Sequence, residues 1–390
     1  MAPDMGLRIL LTGGQGFVGQ HLKARLQDRL PGHVLLEDPM DIRDRAAVER
    51  FVRSEKPDAC LHLAAVSSVA RAEAGTDDAW TVNLDGTLVL AETFEIYAPQ
   101  ASFVFVSTAE IYGASFSSGQ PLDETAVIAP VNAYASSKAA ADLAIGNLSQ
   151  EGLHGVRLRS FTQAGTAQDK EAILPFLAAQ VARIEAGQQA PVITVGQPDA
   201  GFDVTDVRDA CDAYISALVP PRSLPNGTVL NICSGVTRTV RSMAEDLLDV
   251  AGVSATLRVD PALALPSGLA SMQGNPAAAH EALGWSTRIP WSETLVTVLN
   301  DWRYRITACY GLKPCGVIGN YHFLRKTGVR MMTDPHDTEI AVLATANGLV
   351  IPVEFHAGVR NNLDLLRSYG ALIEGLELPD RLEPAFRYEP

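Results

Sequence analysis

Short apolar runs alternate with helical patterns through the first 160 residues of this 390-residue chain. Residues 7–12 form an apolar run before a glycine-rich turn, and residues 17–30 then carry apolar side chains at helical spacing. The same pairing recurs, with strands predicted at 33–37, 59–65, 102–107 and 156–160 and helices at 46–54, 80–97 and 133–149. This alternation predicts an α/β fold with a doubly wound parallel sheet.

Four of the predicted strands end at small or polar residues. These are Thr12, Ala64, Ser107 and Ser160. Because ligands of such sheets bind outside the carboxyl ends of the strands, we expect these residues to border a ligand site.

The turn after the first strand reads Thr-Gly-Gly-Gln-Gly-Phe-Val-Gly. Gly13 permits a tight turn, Gly16 lets the backbone approach a pyrophosphate, and Gly19 allows close helix packing. The helix that starts at Phe17 and Val18 would supply N–H donors to phosphate. The spacing is Gly-x-x-Gly-x-x-Gly rather than the commoner Gly-x-Gly-x-x-Gly, and a glycine-rich loop without a ligand is the alternative.

Acidic residues end the second predicted strand. Glu37 and Asp38 stand where a carboxylate can bind a ribose 2′-hydroxyl and repel a 2′-phosphate. This favours NAD over NADP, with an ordinary exposed loop acid as the alternative. Asp41 and Ile42 follow at a place suited to contact with the adenine.

Tyr134 and Lys138 are four residues apart on a predicted helix and therefore share a face. A neighbouring ammonium favours the phenolate and lowers the pKa of the tyrosine toward values useful in proton transfer. A lone Tyr-x-x-x-Lys is common by chance. Here it follows the glycine turn and Ser-Thr-Ala-Glu-Ile-Tyr-Gly at residues 107–113, and this order makes the pattern specific.

Charge and cysteine usage narrow the class of protein. The net charge of −14 argues against nonspecific binding to nucleic acid or to an anionic membrane. The five cysteines are scattered without CxxC spacing, which indicates free or buried thiols in a reducing compartment. With no signal peptide or membrane-spanning run, we expect a cytoplasmic protein. The histidines lack metal-ligand spacing, so no metal is expected, and His62 is predicted to be a satisfied core residue.

Residues 7–303 resemble the extended short-chain dehydrogenases/reductases, in the nucleotide-sugar branch that contains the GDP-4-dehydro-6-deoxy-D-mannose reductases and GDP-mannose 4,6-dehydratases. The resemblance rests on residues 12–19, 62–69, 82–87, 108–113, 130–134, 182–187, 191–193, 206–209 and 230–235. It implies a Rossmann-type domain at 1–160, then a mostly substrate-binding subdomain at 161–303 with strands returning to the main sheet. It also implies an NAD or NADP cofactor, a sugar or nucleotide-sugar substrate, and a homodimer through helices 83–97 and 133–149.

The resemblance also implies roles for individual residues. Tyr134 would exchange a proton with the C4 oxygen of a hexose, and Lys138 would lower its pKa and bind the nicotinamide ribose. Thr108 would hydrogen-bond the same substrate oxygen. Glu110 would be an elimination base, as in the 4,6-dehydratases, or a structural acid. Further cofactor contacts are implied at Leu63, Ala64 and Ala65, and substrate contacts at Ser67, Ser68 and Thr162.

The chain departs from the family at its expected phosphate contacts. The substrate-binding asparagine is replaced by Thr162, and two clamp arginines by Phe202 and Leu265. Either the substrate lacks a nucleotide diphosphate or other arginines substitute, with Arg183 as one candidate. By the same resemblance the catalytic hydroxyl is that of Thr108, so Ser136 and Ser137 are expected to expose theirs on the helix.

The tail differs from the rest of the chain. Residues 304–331 read as a linker, and residues 332–390 are predicted to form a short helical extension. The extension resembles small accessory subunits of amidase-signature hydrolases, such as the carboxybiuret hydrolase small subunit, through residues 346–352, 358–363 and 378–384. This implies an amidase-type partner. A helical extension that packs on the reductase itself, or two joined reading frames, are the alternatives.

Three functions remain open from the sequence. The first is NAD(P)H-dependent reduction of a 4-keto sugar. The second is epimerisation or 4,6-dehydration with tightly held NAD. The third is a non-catalytic, cofactor-binding scaffold whose tail docks an amidase.

Overall fold

The computed structural model describes residues 6–37, 40–218, 224–263 and 271–308. The strands in these ranges are β1 (Arg8–Thr12), β2 (Val34–Leu36), β3 (Ala59–His62), β4 (Ser102–Thr108), β5 (Gly155–Ser160), β6 (Thr162–Ala164), β7 (Val192–Val195), β8 (Gly201–Asp206), β9 (Thr228–Ile232), β10 (Thr237–Thr239), β11 (Thr256–Val259) and β12 (Ser271–Met272). Six of them form a parallel sheet in the order β2-β1-β3-β4-β5-β9. The predicted doubly wound sheet is therefore confirmed.

Helices connect these strands. They are α1 (Phe17–Arg29), α2 (Arg45–Glu55), α3 (Val69–Ala74), α4 (Thr76–Trp80), α5 (Thr87–Tyr97), α6 (Ala133–Glu151), α7 (Ile173–Glu185), α8 (Val207–Leu218), α9 (Val240–Ala251), α10 (Ala277–Leu283) and α11 (Trp291–Ala308). A π-helical turn spans Thr81–Gly86, and 3-10 segments span Ala109–Ser118 and Pro261–Leu263.

The main sheet is covered on both faces, which accounts for the largely apolar character of its strands. Leu22 and Leu26 of α1 and Tyr214 of α8 pack on one face. Phe94 of α5 and Ile145 of α6 pack on the other. The sheet is therefore packed between two helical layers.

A second core lies beyond the main sheet. It joins α7, α9 and α11 to the shorter strands, with Leu177, Met243 and Val298 buried at its centre. Strand β8 pairs antiparallel with β10 and parallel with β6 and β12, while β7 pairs with β11. This smaller unit follows β5 in the chain, as the proposed substrate subdomain requires.

Two predicted elements differ from the structure by more than one or two residues at an end. The helix predicted at 80–97 is divided, because the π-helical turn Thr81–Gly86 separates α4 from α5. The strand predicted at 59–65 ends at His62, since the next residues turn toward the glycine loop, where Gly13 approaches Leu63 and Ala64 closely.

The end of the described chain is helical. Helix α11 continues to Ala308, five residues past the predicted end of the reductase region at Arg303. Residues 309–390, which include most of the predicted linker and the whole predicted extension, lie outside the described residues. The domain limits therefore stay predictions.

The described cysteines and helices bear on two further predictions. Cys60, Cys211 and Cys233 are free and buried, as predicted, while Cys309 and Cys315 lie outside the described residues. Within the described ranges, no helix combines the length and apolar character needed to cross a membrane.

Candidate active site

The glycine-rich turn joins β1 to α1 at the carboxyl edge of the main sheet. Gly13 has a φ of +72°, in the left-handed region that favours glycine. A Cβ on Gly13 would lie 2.7 Å from the Ala64 nitrogen, and a Cβ on Gly19 would lie 2.4 Å from the Gly13 oxygen. Both glycines are therefore required by close approach, one to β3 and the other within the turn.

The N-terminus of α1 has no side chain that caps its first N–H groups. It has no side-chain cap and no acidic residue in its first turn, where Phe17 and Val18 lie. The first N–H groups of a helix have no intrahelical acceptor and attract anions. A Cβ on Gly16 would meet only the Gly13 oxygen, at 3.3 Å, so the backbone is open at the predicted approach of a pyrophosphate. These residues fit the diphosphate of a dinucleotide.

The residues predicted to contact the adenosine follow β2 in the chain: Glu37 comes directly after the strand, and Asp41 and Ile42 come a few residues later. The carboxylate of Glu37 forms an ion pair with Lys23 at 2.9 Å. Asp41 is paired with Arg43 at 2.8 Å, and this hydrogen-bonded guanidinium lowers the pKa of the Asp41 carboxyl. Ile42 is buried. Contact of Asp41 and Ile42 with an adenine stays a prediction.

Leu63, Ala64 and Ala65 form the half-buried loop after β3. The Ala64 N–H donates to the Thr12 hydroxyl at 3.2 Å, which ties this loop to the end of β1. The three residues therefore border the glycine turn, as predicted for cofactor contacts.

His62 is the satisfied core residue that the sequence predicts. Its Nδ1 lies 2.7 Å from the Thr12 hydroxyl, and its Nε2 lies 2.8 Å from the Thr87 hydroxyl. Because Thr87 donates its proton to the Asn83 carbonyl, His62 must donate through Nε2 and accept through Nδ1. Burial, with Lys138 as a second cause, lowers the pKa of His62 to about 3, so it is neutral.

Thr108, Glu110 and Tyr134 are brought together where β4 ends. Thr108 lies beside the phenol of Tyr134 and acts to lower its pKa, and Tyr134 is 8% exposed. The Thr108 hydroxyl also accepts from the Glu110 N–H at 3.2 Å, which caps the 3-10 segment. Burial raises the pKa of Tyr134, and the Glu110 carboxylate raises it further. Burial also raises the pKa of Glu110.

Lys138 does not lie against the Tyr134 hydroxyl in the way the helix spacing suggested. Its ammonium donates to the Val106 carbonyl at 2.8 Å and lies 4.1 Å from the centre of the Phe105 ring. Burial lowers the pKa of Lys138 to about 7, although Asp142 acts in the opposite sense. The predicted lowering of the Tyr134 pKa by Lys138 is wrong in this structure, because desolvation of the phenol dominates.

Asn132 is a residue of the site that the sequence reasoning missed. Its side-chain oxygen accepts from the Ala135 N–H at 2.7 Å and caps α6. Its side-chain nitrogen donates to Glu110 at 3.2 Å. One asparagine therefore links the acid to the start of the helix that carries Tyr134. An Asn before a predicted helix is a capping signal visible in the sequence.

The prediction that Ser137 exposes its hydroxyl is wrong. Ser137 is fully buried, donates to the Tyr134 carbonyl at 2.8 Å and accepts from the Asn83 amide at 2.9 Å. Asn83 also binds both backbone groups of Val66, at 2.8 and 3.2 Å. Ser136 donates to the Asn132 carbonyl at 2.8 Å. The hydroxyl of Ser137 thus fixes α6 against the π-helical turn instead of facing solvent.

The residues predicted to contact the substrate lie on several different elements of the structure. Ser67 is exposed. The Ser68 hydroxyl donates to Glu171, two residues before the start of α7, at 2.8 Å. Thr162 is half-buried in β6. Arg183 lies in the last turn of α7, about 15 Å along the helix from its first residue. Contact of Arg183 with the substrate stays a prediction.

The side of the small sheet that the resemblance assigns to phosphate is apolar at Phe202, which is buried in the second core. Directly opposite Phe202 in the β8–β10 pair stands Arg238. Its guanidinium lies 4.4 Å from the centre of the Trp291 ring. Within the described part of the chain, Arg238 forms no ion pair, and burial lowers its pKa, although Asp203 and Asp246 act in the opposite sense. Leu265, at the second clamp, lies outside the described residues.

A family model described as "NAD dependent epimerase/dehydratase family" matches residues 9–233. The chain belongs to this family. It is also 32% identical over 307 residues to GDP-6-deoxy-D-mannose reductase of Pseudomonas aeruginosa, a match that covers 77% of this chain and 99% of that protein. GDP-6-deoxy-D-talose 4-dehydrogenase of Aggregatibacter actinomycetemcomitans is 25% identical, with 71% of this chain and 92% of the relative covered.

Solved structures of epimerase/dehydratase proteins share the fold. The structure of RMD from Pseudomonas aeruginosa complexed with NADPH superposes with a TM-score of 0.71 at 30% identity, covering 77% of this chain and 99% of that one. A UDP-glucose 4-epimerase from Thermus thermophilus complexed with NAD gives a TM-score of 0.66 at 25% identity, covering 76% and 99%.

Proposed function

We propose that this epimerase/dehydratase family member is an NAD(P)-dependent oxidoreductase of the extended short-chain type that reduces the 4-keto group of a sugar. The substrate is a nucleotide-linked 4-keto-6-deoxyhexose. The observation that carries the proposal is the convergence of Thr108 and Tyr134 at the end of β4, beside a turn that fits a dinucleotide. The likeness to GDP-6-deoxy-D-mannose reductase over nearly the whole length of that enzyme supports the sugar class.

The chain's own residues supply the proton in this reaction. When bound, the reduced nicotinamide supplies the hydride. Tyr134 keeps its proton at neutral pH because burial and the Glu110 carboxylate raise the pKa of the phenol. A protonated phenol is the form that can donate to a carbonyl oxygen as that oxygen gains negative charge. Thr108, beside Tyr134, offers a second hydroxyl to the same oxygen.

Lys138 has a role other than transfer of the Tyr134 proton in this arrangement. Its ammonium is held by the Val106 carbonyl, next to Phe105 on β4. From there it lies on the nicotinamide half of the carboxyl edge, because the phosphate turn follows β1 and the adenosine lies toward β2. Contact with the nicotinamide ribose is the role we propose for it.

The environment of Glu110 favours reduction over 4,6-dehydration. An elimination base must be free to accept a proton from the substrate. The Glu110 carboxylate instead accepts a hydrogen bond from the Asn132 side chain. We assign Glu110 a structural role, in which its hydrogen bond from Asn132 joins the 3-10 segment to the start of α6. Epimerisation is the second candidate, since UDP-glucose 4-epimerases are among the relatives.

The test uses the purified full chain with GDP-4-keto-6-deoxymannose and either NADH or NADPH. We expect consumption of reduced cofactor in step with formation of the 4-hydroxy sugar, and no cofactor retained by the protein after gel filtration. Matched UDP- and dTDP-linked 4-keto-6-deoxyhexoses measure the nucleotide preference. Conversion of a UDP-hexose to its 4-epimer by protein with retained NAD would instead establish the epimerase. Cofactor binding without turnover of any sugar would favour the scaffold.

Three further assignments complete the proposal. We place the enzyme in the cytoplasm. We also assign it a homodimeric state, which sedimentation of the full chain tests. Residues 332–390 are assigned to docking of an amidase-type hydrolase, on their sequence resemblance alone. Affinity capture with the full chain and with a chain that ends at residue 331 tests this assignment. Equal recovery of a hydrolase by both would refute it, and so would recovery by neither.

A further inference from the structure

A continuous network of buried hydrogen bonds leads away from the glycine-rich turn. The Ala64 N–H donates to the Thr12 hydroxyl at 3.2 Å, and that hydroxyl lies 2.7 Å from His62 Nδ1. On the other side of the ring, Nε2 lies 2.8 Å from the Thr87 hydroxyl, which donates to the Asn83 carbonyl at 2.7 Å. The side chains of Thr12, His62 and Thr87 are at most 7% exposed. The network therefore joins the end of β1 to the π-helical turn.

Every proton in this network has one place. Thr87 donates to the Asn83 carbonyl, so it must accept from His62 Nε2. His62 Nδ1 must then accept from the Thr12 hydroxyl, whose oxygen accepts from the Ala64 N–H. All four bonds point the same way, and bonds in such a series polarise one another. Because a buried polar group without a partner is costly, the network resists any change in its length.

Asn83 continues the network to α6 and to the loop after β3. Its side-chain amide donates to the Ser137 hydroxyl at 2.9 Å, and that hydroxyl donates to the Tyr134 carbonyl at 2.8 Å. The same side chain exchanges hydrogen bonds with both backbone groups of Val66. A π-helical turn, as at Thr81–Gly86, is frequent at functional sites. The glycine-rich turn and the residue that donates the proton are thus connected by buried contacts alone.

We propose that His62 and Thr87 are positioning residues for the reduction, holding the glycine-rich turn at a fixed distance from the helix that carries Tyr134. The inference rests on the proposed function. Because the turn would hold a dinucleotide by its diphosphate, its place relative to α6 sets the place of the hydride relative to the phenol proton. A misplacement of about 1 Å can cost about 10²-fold in rate. His62 and Thr87 act through the elements they join and supply no group to the reaction.

The first measurement is the tautomer of His62, read by nitrogen NMR of the full chain with labelled histidine and assigned with His62→Gln. Near neutral pH we expect the neutral form protonated at Nε2, because Thr87 can accept only that proton. In Thr87→Val the acceptor is lost, and the proton should move to Nδ1. Thr87→Ser keeps the hydroxyl and should keep the wild-type tautomer. A wild-type His62 protonated at Nδ1 would overturn the inference, because Thr87 could not then donate to Asn83.

The second measurement separates kcat from binding. In Thr87→Val, kcat for reduction of the 4-keto sugar should fall about tenfold or more, while KM for the sugar and Kd for the reduced cofactor change less than about threefold. Thr87→Ser should recover most of the rate. Thr93→Val is the matched control, since Thr93 is buried on the same helix and donates to the Val89 carbonyl at 2.7 Å. Its hydroxyl has no second partner among the described residues, so this variant should keep kcat.

Ser137→Ala breaks the other end of the network and tests the inference even if Thr87→Val does not fold. We expect kcat to fall about fivefold or more, with the wild-type tautomer of His62 retained. Ser149→Ala is its matched control, since Ser149 is buried on α6 and donates to the Ile145 carbonyl at 2.7 Å. It should keep kcat. Thermal unfolding of each variant gives the folded fraction to which kcat is referred.

The outcomes separate the inference from the proposed function. Full kcat in Thr87→Val, or in Ser137→Ala where Thr87→Val does not fold, overturns the inference while leaving sugar reduction in place. An equal loss of kcat in a variant and in its matched control assigns the loss to stability and also overturns the inference. Failure of the wild type to reduce any 4-keto sugar overturns the proposed function, and the inference with it.

Discussion

Two regions of the molecule differ in the polarity of their side chains: the carboxyl edge of the main sheet, called here the catalytic edge, and the surroundings of β8 in the small sheet, called here the β8 side. At the catalytic edge, Thr108, Tyr134 and Lys138 are each held by named polar partners. On the β8 side, the resemblance predicts an arginine and the chain has Phe202, buried among apolar side chains. Arg238 stands opposite Phe202 in the β8–β10 pair.

This difference shows that the two halves of the reaction are specified separately. Proton transfer depends on a small set of buried hydrogen bonds whose partners must all be present. Recognition of a diphosphate needs cations within reach of the phosphates, and several positions can provide them. The reaction type can therefore be inferred more firmly than the group attached to the sugar.

The largest effect should come from breaking the catalytic side. Tyr134→Phe removes the proton donor, and we expect kcat to fall by about 10²–10⁴ while the Kd for the cofactor is unchanged. Tyr112→Phe is the matched control, since the Tyr112 hydroxyl donates to Asn231 at 2.7 Å and has a structural role. It should cost about 1–3 kcal/mol of stability and leave kcat intact. A Tyr134→Phe enzyme with nearly full kcat would remove Tyr134 from the chemistry.

The next effect should come from the opposite side. Arg238→Met removes the half-buried cation that faces Phe202, and we expect KM for the nucleotide-linked sugar to rise about tenfold, as for loss of one charge-assisted contact. Arg183→Met should leave KM unchanged, because Arg238, and not Arg183, stands opposite Phe202. The reverse result would restore Arg183 as the replacement for the missing clamp and exclude Arg238.

Lys138 gives a pH dependence of stability that belongs to the catalytic side alone. Burial lowers its pKa to about 7 from the usual 10.5, so between these values the unfolded chain holds a proton that the folded chain lacks. The free energy of unfolding should therefore rise with pH across this window, by at most about 1.4 kcal/mol per pH unit from this group. Below pH 7 both states are protonated and the contribution is constant.

Urea unfolding at a series of pH values, with wild type and Lys138→Met, measures this contribution. The variant lacks the titrating group, so the difference between the two proteins should change with pH above 7 and stay level below it. A difference that is constant over the whole range would show that Lys138 is not desolvated in the folded protein.

The smallest effect concerns the loop between the two regions. Ala167 has a φ of +63° and donates its N–H to Asp301 at 3.1 Å. Left-handed backbone is costly for a residue with a Cβ, so Ala167→Gly should stabilise the protein by about 0.5–1 kcal/mol. Ala178→Gly, in the interior of α7, should instead destabilise it by at least about 1 kcal/mol. Chemical denaturation measures both, and a destabilised Ala167→Gly protein would contradict the expectation.

The catalytic side also shows how far sequence reasoning extends. Tyr134 and Lys138 could be found because helical spacing is local, and the glycine turn because its residues are contiguous. The direction of the Lys138 ammonium could not, since its acceptor is the Val106 carbonyl, 32 residues away in the chain. The burial of Ser137 depends in the same way on Asn83, 54 residues away.

The sequence by itself determined the parallel sheet and the glycine turn, and it supplied the candidates for the catalytic residues. Each of these follows from the order of neighbouring residues along the chain. Only the tertiary structure decided that the pKa of Tyr134 is raised, that Lys138 binds a backbone carbonyl, and that Glu37 is paired with Lys23. The physical reason is that desolvation and hydrogen-bond partnership depend on which distant elements pack together.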